Sequence, residues 1–186
     1  GRVADELGHV VLSNDRIRKE LAGLNPEDAA PADYRGGIYT PEHTHELYAE
    51  LIARAELLLG LGESVIIDAT WSNGAERAAA VQLAARTHAR LTSLQCHTPA
   101  DLAALRMDNR PTPSDADGAL AAVLLVDVDH WPEAFAIDTS LDMDTATQQA
   151  VDRIHPSGEG RPWFATCLPT PRVGGRHVNV VPRGSS

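Results

Sequence analysis

The chain has 186 residues, 43% of them hydrophobic, and a formal net charge of −10. This charge argues against stable binding to nucleic acid or to an anionic membrane. No apolar run reaches the roughly 18 residues of a membrane span, and the N-terminus lacks the apolar segment of a signal peptide. The two cysteines, Cys96 and Cys167, are far apart and lack metal-ligand spacing, which predicts reduced thiols in a cytoplasmic protein.

The first sixty residues predict helices around one buried strand. In chain order they are the end of a helix over 1–8, a strand over 9–13, a short helix over 15–23, a polar loop over 25–37 and a long helix over 41–60. The long helix carries the clearest signals, because Thr40 can cap it, Pro41 suits its first position and its apolar residues recur at helical spacing.

The same alternation continues to residue 154. The predicted elements are a strand over 64–68, a helix to about 89, a strand over 90–96, helices over about 98–110 and 114–126, a strand over 134–140 and a helix over 144–154. Asn73 and Glu76 have the spacing of a capping box. Strands that alternate with helices predict an α/β fold with a parallel sheet.

Polar residues stand at the predicted carboxyl ends of the strands, where ligands bind in open parallel sheets. These ends are residues 13–15, 68–70, 96–98 and 138–140. Because loops are usually polar, polar residues at any single strand end need no functional explanation. Asp15 and Asp68 each follow an uninterrupted apolar run, and together they favour a functional site.

Five stretches in this order and spacing resemble the small-molecule kinase-like branch of the P-loop NTPases, whose members are often described as AAA-family ATPases. The stretches are "VVLSNDRIRKEL", "GESVIIDATWSN", "ADLAALRMDNR", "PSDAD" and "HWPEAFAIDTS". The kinase domain of polynucleotide kinase is a related protein. The resemblance covers residues 1–154 and implies a kinase-like parallel sheet with helices on both faces and a helical lid near 98–126.

The remaining residues, 155–186, are rich in proline and glycine and show no clean periodicity. We expect them to form a C-terminal extension. Its last residues, "VPRGSS", resemble a protease-site remnant from an expression vector, and a native tail is the alternative.

The resemblance implies roles for residues on the acceptor side. In the family's D-x-x-R motif, the acid takes the proton of the acceptor hydroxyl and the arginine holds the acceptor. These positions are Asp15 and Arg18 in this sequence. Asp68 matches the family's second acidic strand end, which orients water bound to Mg²⁺. Phosphoryl transfer depends mainly on positioning and charge neutralisation, and these residue types suit that chemistry.

The lid arginines of the family correspond to Arg106 and Arg110, one helical turn apart. The resemblance implies that both contact ATP, that Arg110 also acts on the transferred phosphoryl group, and that Thr139 lies on the nucleotide side. Spacing alone favours a different reading, in which Arg106 and Arg110 lie on a solvated helix face and pair with Asp108.

The phosphate-binding loop that defines this family has no counterpart in the sequence. The pattern G-x-x-x-x-G-K-[ST] does not occur, and the single lysine, Lys19, follows the first strand. The family's loop and its central strand would precede residue 1, so we expect the domain to be incomplete at its N-terminus and to belong to a longer polypeptide. Without that strand, two neighbours in the sheet would have unpaired backbone groups.

The function expected from this resemblance is ATP-dependent phosphoryl transfer to a hydroxyl of a small molecule or nucleotide, with Mg²⁺. The alternative is a nucleotide-binding regulatory module, or a degenerate non-catalytic one, within a larger protein. Fusion behind a domain that resembles aminoglycoside phosphotransferases is the arrangement that the family suggests. An intact phosphate loop upstream would support the first two readings, and its true absence would leave the third.

Overall fold

The computed structural model of the chain describes residues 1–25, 40–108, 130–156 and 177–181. The helices are α1 (Arg2–Leu7), α2 (Asn14–Leu21), α3 (Pro41–Gly60), α4 (Gly74–Thr87), α5 (Ala100–Asp108) and α6 (Met143–Ile154). The strands are β1 (Val10–Ser13), β2 (Val65–Asp68), β3 (Arg90–His97), β4 (Phe135–Asp138) and β5 (His177–Val181). The predicted helices and strands that fall on described residues are confirmed, including the strand over 134–140 and the helix over 144–154, with element ends that differ by a few residues. The predicted loop over 25–37 lies almost entirely outside the described residues.

Capping residues begin the two helices that flank β2. The Thr40 hydroxyl accepts a hydrogen bond from the His43 backbone amide at 3.3 Å, and Pro41 follows at the first helical position. At α4, the Asn73 side chain accepts from the Ala75 amide at 2.8 Å. The Glu76 carboxyl accepts from the Asn73 backbone amide, which is one half of the predicted capping box.

The strands form one parallel sheet in the order β1-β2-β5-β3-β4. This architecture confirms the predicted fold class, an α/β protein with a parallel sheet. The position of β5 was not expected. It belongs to the segment 155–186, for which the sequence predicts only an extension, and it pairs with β2 on one side and β3 on the other.

Strand β5 corrects the expectation of a gap in the sheet, whereas the absence of the family's N-terminal strand from this chain stays a prediction. Its residues 177–181 fill an interior position, so β2 and β3 pair with β5 instead of facing a gap. The physical reason is that unpaired backbone amides and carbonyls inside a sheet are costly, and an extended Val-rich segment satisfies two strands at once.

Two hydrophobic clusters lie on opposite faces of the sheet. The first joins β1 and β2 to α3 and α4, and the second joins β3 and β4 to α6. On β3, Leu91 packs against the first cluster and Leu94 belongs to the second. Side chains three apart on a strand point to opposite faces, so helices cover both sides of the sheet, as expected.

Within the described ranges, no helix combines the length and the apolar character that a membrane crossing requires.

Candidate functional site

The parallel sheet brings the carboxyl ends of its strands to one edge, and two of the predicted acids lie at neighbouring strand ends there. In the β1–β2 pairing, Ser13 lies opposite Asp68. Asp15 follows Ser13 by two residues and lies in the first turn of α2. Asp15 and Asp68 therefore lie at neighbouring strand ends, which confirms the expected adjacency.

Asp15 is paired with the only lysine of the sequence. One carboxylate oxygen of Asp15 lies 3.4 Å from Lys19 Nζ, one turn further along α2. The Lys19 side chain is buried, and Asp15 is about one quarter exposed. An acid in the first turn also stabilises the start of the helix. The pair holds a partly accessible carboxylate at the edge of the sheet, where it can accept a proton.

Arg18 lies one turn after Asn14 on the same helix and is 9% exposed. Its Nη2 donates to the Asn14 side-chain oxygen at 3.4 Å. Burial raises the pKa of Tyr48 of α3 and of Glu76 of α4, and the positive charge of Arg18 offsets a small part of that rise. Arg18 is therefore placed between β1 and the loop that follows β2.

That loop, residues 69–73, is held in part by the buried hydroxyl of Tyr48. The Tyr48 hydroxyl accepts from the Trp71 backbone amide at 2.9 Å and lies 3.3 Å from the Thr70 hydroxyl oxygen. Trp71 is fully buried and has a φ of 51°, in the left-handed region that bulky residues seldom adopt. Its packing and the Tyr48 hydrogen bond hold this conformation directly after the end of β2.

Two titratable groups beside this loop have raised pKa values. Burial raises the pKa of Tyr48 to about 12, and the negative charge of Glu76 adds to the effect. Burial also raises the pKa of Glu76 to about 7, although hydrogen bonds from the Tyr48 hydroxyl and the Asn73 amide lower it. Glu76 Oε2 is buried and has no hydrogen-bond partner among the described residues.

Arg77 ties the same loop to the segment before β4. Its three guanidinium nitrogens donate to backbone carbonyls of Trp71 (2.9 Å), Ser72 (2.9 Å) and His130 (3.1 Å). The guanidinium also lies 4.9 Å from the centre of the Trp131 ring. Arg77 is 9% exposed, so these contacts are largely shielded from water.

The nucleotide-side residues lie at the ends of β3 and β4. The Thr139 hydroxyl and its backbone amide both donate to the His97 carbonyl, at 2.9 and 2.8 Å. Arg106 Nη1 donates to the Thr139 carbonyl at 2.7 Å. Arg106 is thus engaged at the end of β4, which disfavours the alternative of a solvated side chain. A shallow, open depression of about 510 Å³ adjoins these ends, with His97 and Asp138 in its lining and neither Arg106 nor Thr139 among the residues that line it.

The predicted residues therefore form two groups at one edge of the sheet. Asp15, Arg18 and Asp68 lie on the β1–β2 side, and Arg106 and Thr139 lie on the β3–β4 side. Strand β5 stands between them, and three interstrand steps of roughly 4.8 Å put β2 and β4 about 14 Å apart. Arg110 and the second lid helix, 114–126, lie outside the described residues, so their predicted positions stay predictions.

Reasoning from the sequence missed three members of the site. Tyr48 reads as one residue of an apolar helical stripe, and Glu76 reads only as a capping residue. Arg77 gives no signal beyond an ordinary helix position. An early indication was available in Tyr48, since the hydroxyl of a buried tyrosine usually needs a polar partner.

The carboxylates at the carboxyl ends of β1 and β2 suit a Mg²⁺ ion whose other ligands are water molecules and nucleotide phosphates. Such ions use one or two protein carboxylates, and Asp68 is a half-buried carboxylate at the expected strand end. The described part of the chain contains no cluster of three or more histidine, cysteine or acidic side chains that could hold a metal by itself. Asp68 therefore fits a Mg²⁺ site whose other ligands are water and the phosphates of the nucleotide.

Comparison with known proteins finds one matching family and several relatives that are longer than this chain. The AAA domain family matches residues 1–125. The uncharacterized proteins Mb2027c of Mycobacterium bovis and Rv2004c of Mycobacterium tuberculosis strain H37Rv are each 34% identical to this chain over 149 residues. The match covers 80% of this chain and 30% of each relative, so the chain spans less than a third of their length. No solved structure matches the chain.

Proposed function

This chain belongs to the AAA domain family, and we propose that it carries out ATP-dependent phosphoryl transfer to a hydroxyl of a small molecule or nucleotide. The observation that supports the proposal is the pairing of the β1 and β2 ends, in which Ser13 lies opposite Asp68, with Asp15 two residues after Ser13 and Arg18 one turn further along α2. Such a set has an acid to take a proton, a cation to hold an acceptor and a carboxylate for a metal.

In the proposed reaction, Asp15 accepts the proton of the acceptor hydroxyl as its oxygen attacks the γ-phosphorus of ATP, and the bond from that phosphorus to the β,γ-bridging oxygen breaks to release ADP. The ion pair with Lys19 orients the Asp15 carboxylate. Arg18 binds the acceptor. Mg²⁺, when bound near Asp68, neutralises charge on the phosphates of ATP.

Arg106 and Thr139 are proposed to face the nucleotide from the other side of the sheet edge. Arg110 is proposed to act on the transferred phosphoryl group. The contact between Arg106 and the Thr139 carbonyl supports a shared location, because it brings the start of the lid segment to the end of β4.

The test is ADP release from ATP with Mg²⁺, measured with a panel of hydroxyl acceptors that includes nucleosides, 5′-hydroxyl oligonucleotides and sugars. With an acceptor that supports turnover, Asp15→Asn should lower kcat by about 10²- to 10⁴-fold and leave ATP affinity nearly unchanged. The matched control is Asp5→Asn, which removes an exposed acid of α1 that belongs to neither group of proposed site residues. Loss of ATP binding with normal turnover at saturating ATP would refute the role of Asp15.

A second candidate is a nucleotide-binding regulatory module, or a non-catalytic one, within a larger polypeptide. The coverage of the relatives favours it, because the matched region makes up 30% of each. A linked domain like the aminoglycoside phosphotransferases would suit this reading. ATP binding without turnover on any acceptor would support the regulatory module over the kinase.

A further inference from the structure

Asp68 is the last residue of β2 that the sheet holds in register. Its partners in the two parallel pairings are Ser13 of β1 and Val181 of β5. After Asp68 the chain leaves the sheet, so the ladder of backbone hydrogen bonds fixes only the side of Asp68 that faces the strand. The direction of the Asp68 carboxylate therefore depends also on the turn that follows, residues 69–71.

This turn closes back on the strand through Trp71. The indole N–H of Trp71 donates to the carbonyl of Ile67 at 3.4 Å, so one side chain spans the backbone of Asp68 from the residue before it to the third residue after it. Trp71 is fully buried, and its φ of 51° is a conformation that a bulky residue keeps only when its surroundings impose it. The turn keeps its shape only while Trp71 keeps its place.

Tyr48 of α3 holds Trp71 in that place. The Tyr48 hydroxyl accepts from the Trp71 backbone amide at 2.9 Å and lies 3.3 Å from the Thr70 hydroxyl oxygen. The rings of Tyr48 and Trp71 pack edge to face, with their centres 5.2 Å apart. Tyr48 is only 5% exposed, so water cannot readily replace its hydroxyl as the acceptor of the buried amide.

Arg77 holds the same turn on its other side. Its guanidinium donates to the carbonyls of Trp71 and Ser72, both at 2.9 Å, and these groups lie further along the chain from Asp68. Tyr48 instead contacts Thr70 and the Trp71 amide, which come first after Asp68 and Ala69. Of these two anchors, Tyr48 is therefore the one that acts closest to the proposed metal ligand.

We infer that Tyr48 is a positioning residue for the proposed Mg²⁺ site, because its hydroxyl fixes the turn after β2 and so directs the Asp68 carboxylate. Tyr48 contacts neither metal nor substrate in this role, and it acts through Thr70 and Trp71. The inference deepens the proposed function and rests on it in taking Asp68 as the carboxylate for Mg²⁺. Groups that orient a metal ligand typically change metal affinity by roughly 10- to 100-fold. Tyr48 acts through the backbone, so we expect the lower end, about tenfold.

The first experiment is the Mg²⁺ dependence of phosphoryl transfer at saturating ATP and acceptor. Tyr48→Phe keeps the ring that packs on Trp71 and removes only the hydroxyl. In this variant the Mg²⁺ concentration for half-maximal rate should rise about tenfold, and kcat at saturating Mg²⁺ should stay within about twofold of the natural chain. A merely structural role would lower kcat through loss of folded protein and leave the half-saturation unmoved, which would overturn the inference.

The second experiment measures metal binding without turnover. Mn²⁺ serves as the probe, with a non-hydrolysable ATP analogue, and electron paramagnetic resonance reports the free ion. Tyr48→Phe should weaken Mn²⁺ binding by about tenfold. The control is Ile154→Val, at a fully buried position of the second cluster, which should lower stability and keep the Mn²⁺ affinity of the natural chain. An equal loss of affinity in the control would attribute the effect to general destabilisation and refute the role of Tyr48.

A measurement on the natural chain decides the matter if Tyr48→Phe does not fold. Coupling between two sites is reciprocal, so a turn that favours metal binding must itself be stabilised by the metal. Hydrogen exchange of the Trp71 amide, which Tyr48 holds, should slow by about tenfold when Mg²⁺ is added to the chain with the same analogue. The Ile154 amide is the reference and should not change. An unchanged Trp71 rate, or equal slowing at both amides, would contradict the inference.

The outcomes separate this inference from the proposed function. Mn²⁺ binding that weakens in Tyr48→Phe, in a chain that transfers no phosphoryl group, would refute the kinase proposal and leave the role of Tyr48. Phosphoryl transfer with the same Mg²⁺ dependence in Tyr48→Phe and the natural chain would refute the role of Tyr48 alone.

Discussion

Replacement of Arg77 by alanine should destabilise the chain more than removal of any exposed arginine, because Arg77 joins the loop after β2 to the segment before β4. Its guanidinium donates to the carbonyls of Trp71, Ser72 and His130 and lies over the Trp131 ring. The change to alanine removes all four contacts together. It also leaves the buried Trp71 carbonyl without this donor.

The size of the effect follows from the contacts. A hydrogen bond from a charged donor contributes roughly 1.5–3 kcal/mol net, and a partly buried cation–π contact about 1 kcal/mol. The sum overstates the loss, because water can reach the carbonyl of the exposed His130 and the cost of burying the guanidinium disappears. We expect Arg77→Ala to lower the free energy of unfolding by about 3 kcal/mol. Arg77→Lys should cost about 2 kcal/mol, since an ammonium group cannot reproduce the planar fork.

The assay is urea unfolding, followed in parallel by circular dichroism and tryptophan fluorescence. Arg86→Ala is the matched control on the same helix, because Arg86 makes two hydrogen bonds to Glu56 on an exposed surface. Its unfolding midpoint should stay close to that of the natural chain. If Arg77→Ala is as stable as Arg86→Ala, Arg77 does not tie the two segments together in solution.

Three further predictions concern the core, the sheet and pH. Leu51→Ala, at a fully buried position of α3, should cost about 3 kcal/mol in urea unfolding, whereas Leu57→Ala on the exposed face should cost little; equal losses would contradict the packing. Removal of residues 175–186 deletes β5 and should cause aggregation by light scattering, because β2 and β3 lose a partner; a stable monomer would contradict the central position of β5. Stability should fall as the pH rises from 4.5 to 7, because folded Glu76, whose pKa is about 7 against an ordinary 4.5, keeps a proton that the unfolded chain releases. Screening of a partly exposed carboxyl limits this term to about 1–2 kcal/mol, and Glu76→Gln should remove it; an unchanged pH slope in the variant would show that Glu76 does not titrate in this range.

Local sequence determined most of the helices and strands of the described chain. In α3, the apolar spacing predicted a buried stripe, and Leu47, Leu51 and Leu59 are fully buried. The same rules predicted β2 from its uninterrupted apolar run and the start of α4 from Asn73. These features depend on residues within one or two turns of each other, so the pattern along the chain contains the information.

The adjacency of Asp15 and Asp68 was also predictable, because a strand, a helix and a second parallel strand place the two carboxyl ends at one edge. The family resemblance supplied their roles, which stay proposals. The contact between Arg106 and Thr139 was not predictable from spacing. It depends on how the segment after β3 returns to the end of β4.

Only the tertiary structure decided the position of β5 and the contacts of the buried polar residues. The segment 177–181 has β-branched residues but no turn or helix signal that says where it pairs, and the vacant position between β2 and β3 exists only once those strands are assembled. Tyr48 and Glu76 are distant in sequence, and no local rule specifies the hydrogen bond between the Tyr48 hydroxyl and the Glu76 carboxyl. Burial sets both their pKa values and their partners, and burial is a property of the packed chain, because it depends on which helices cover which side of the sheet.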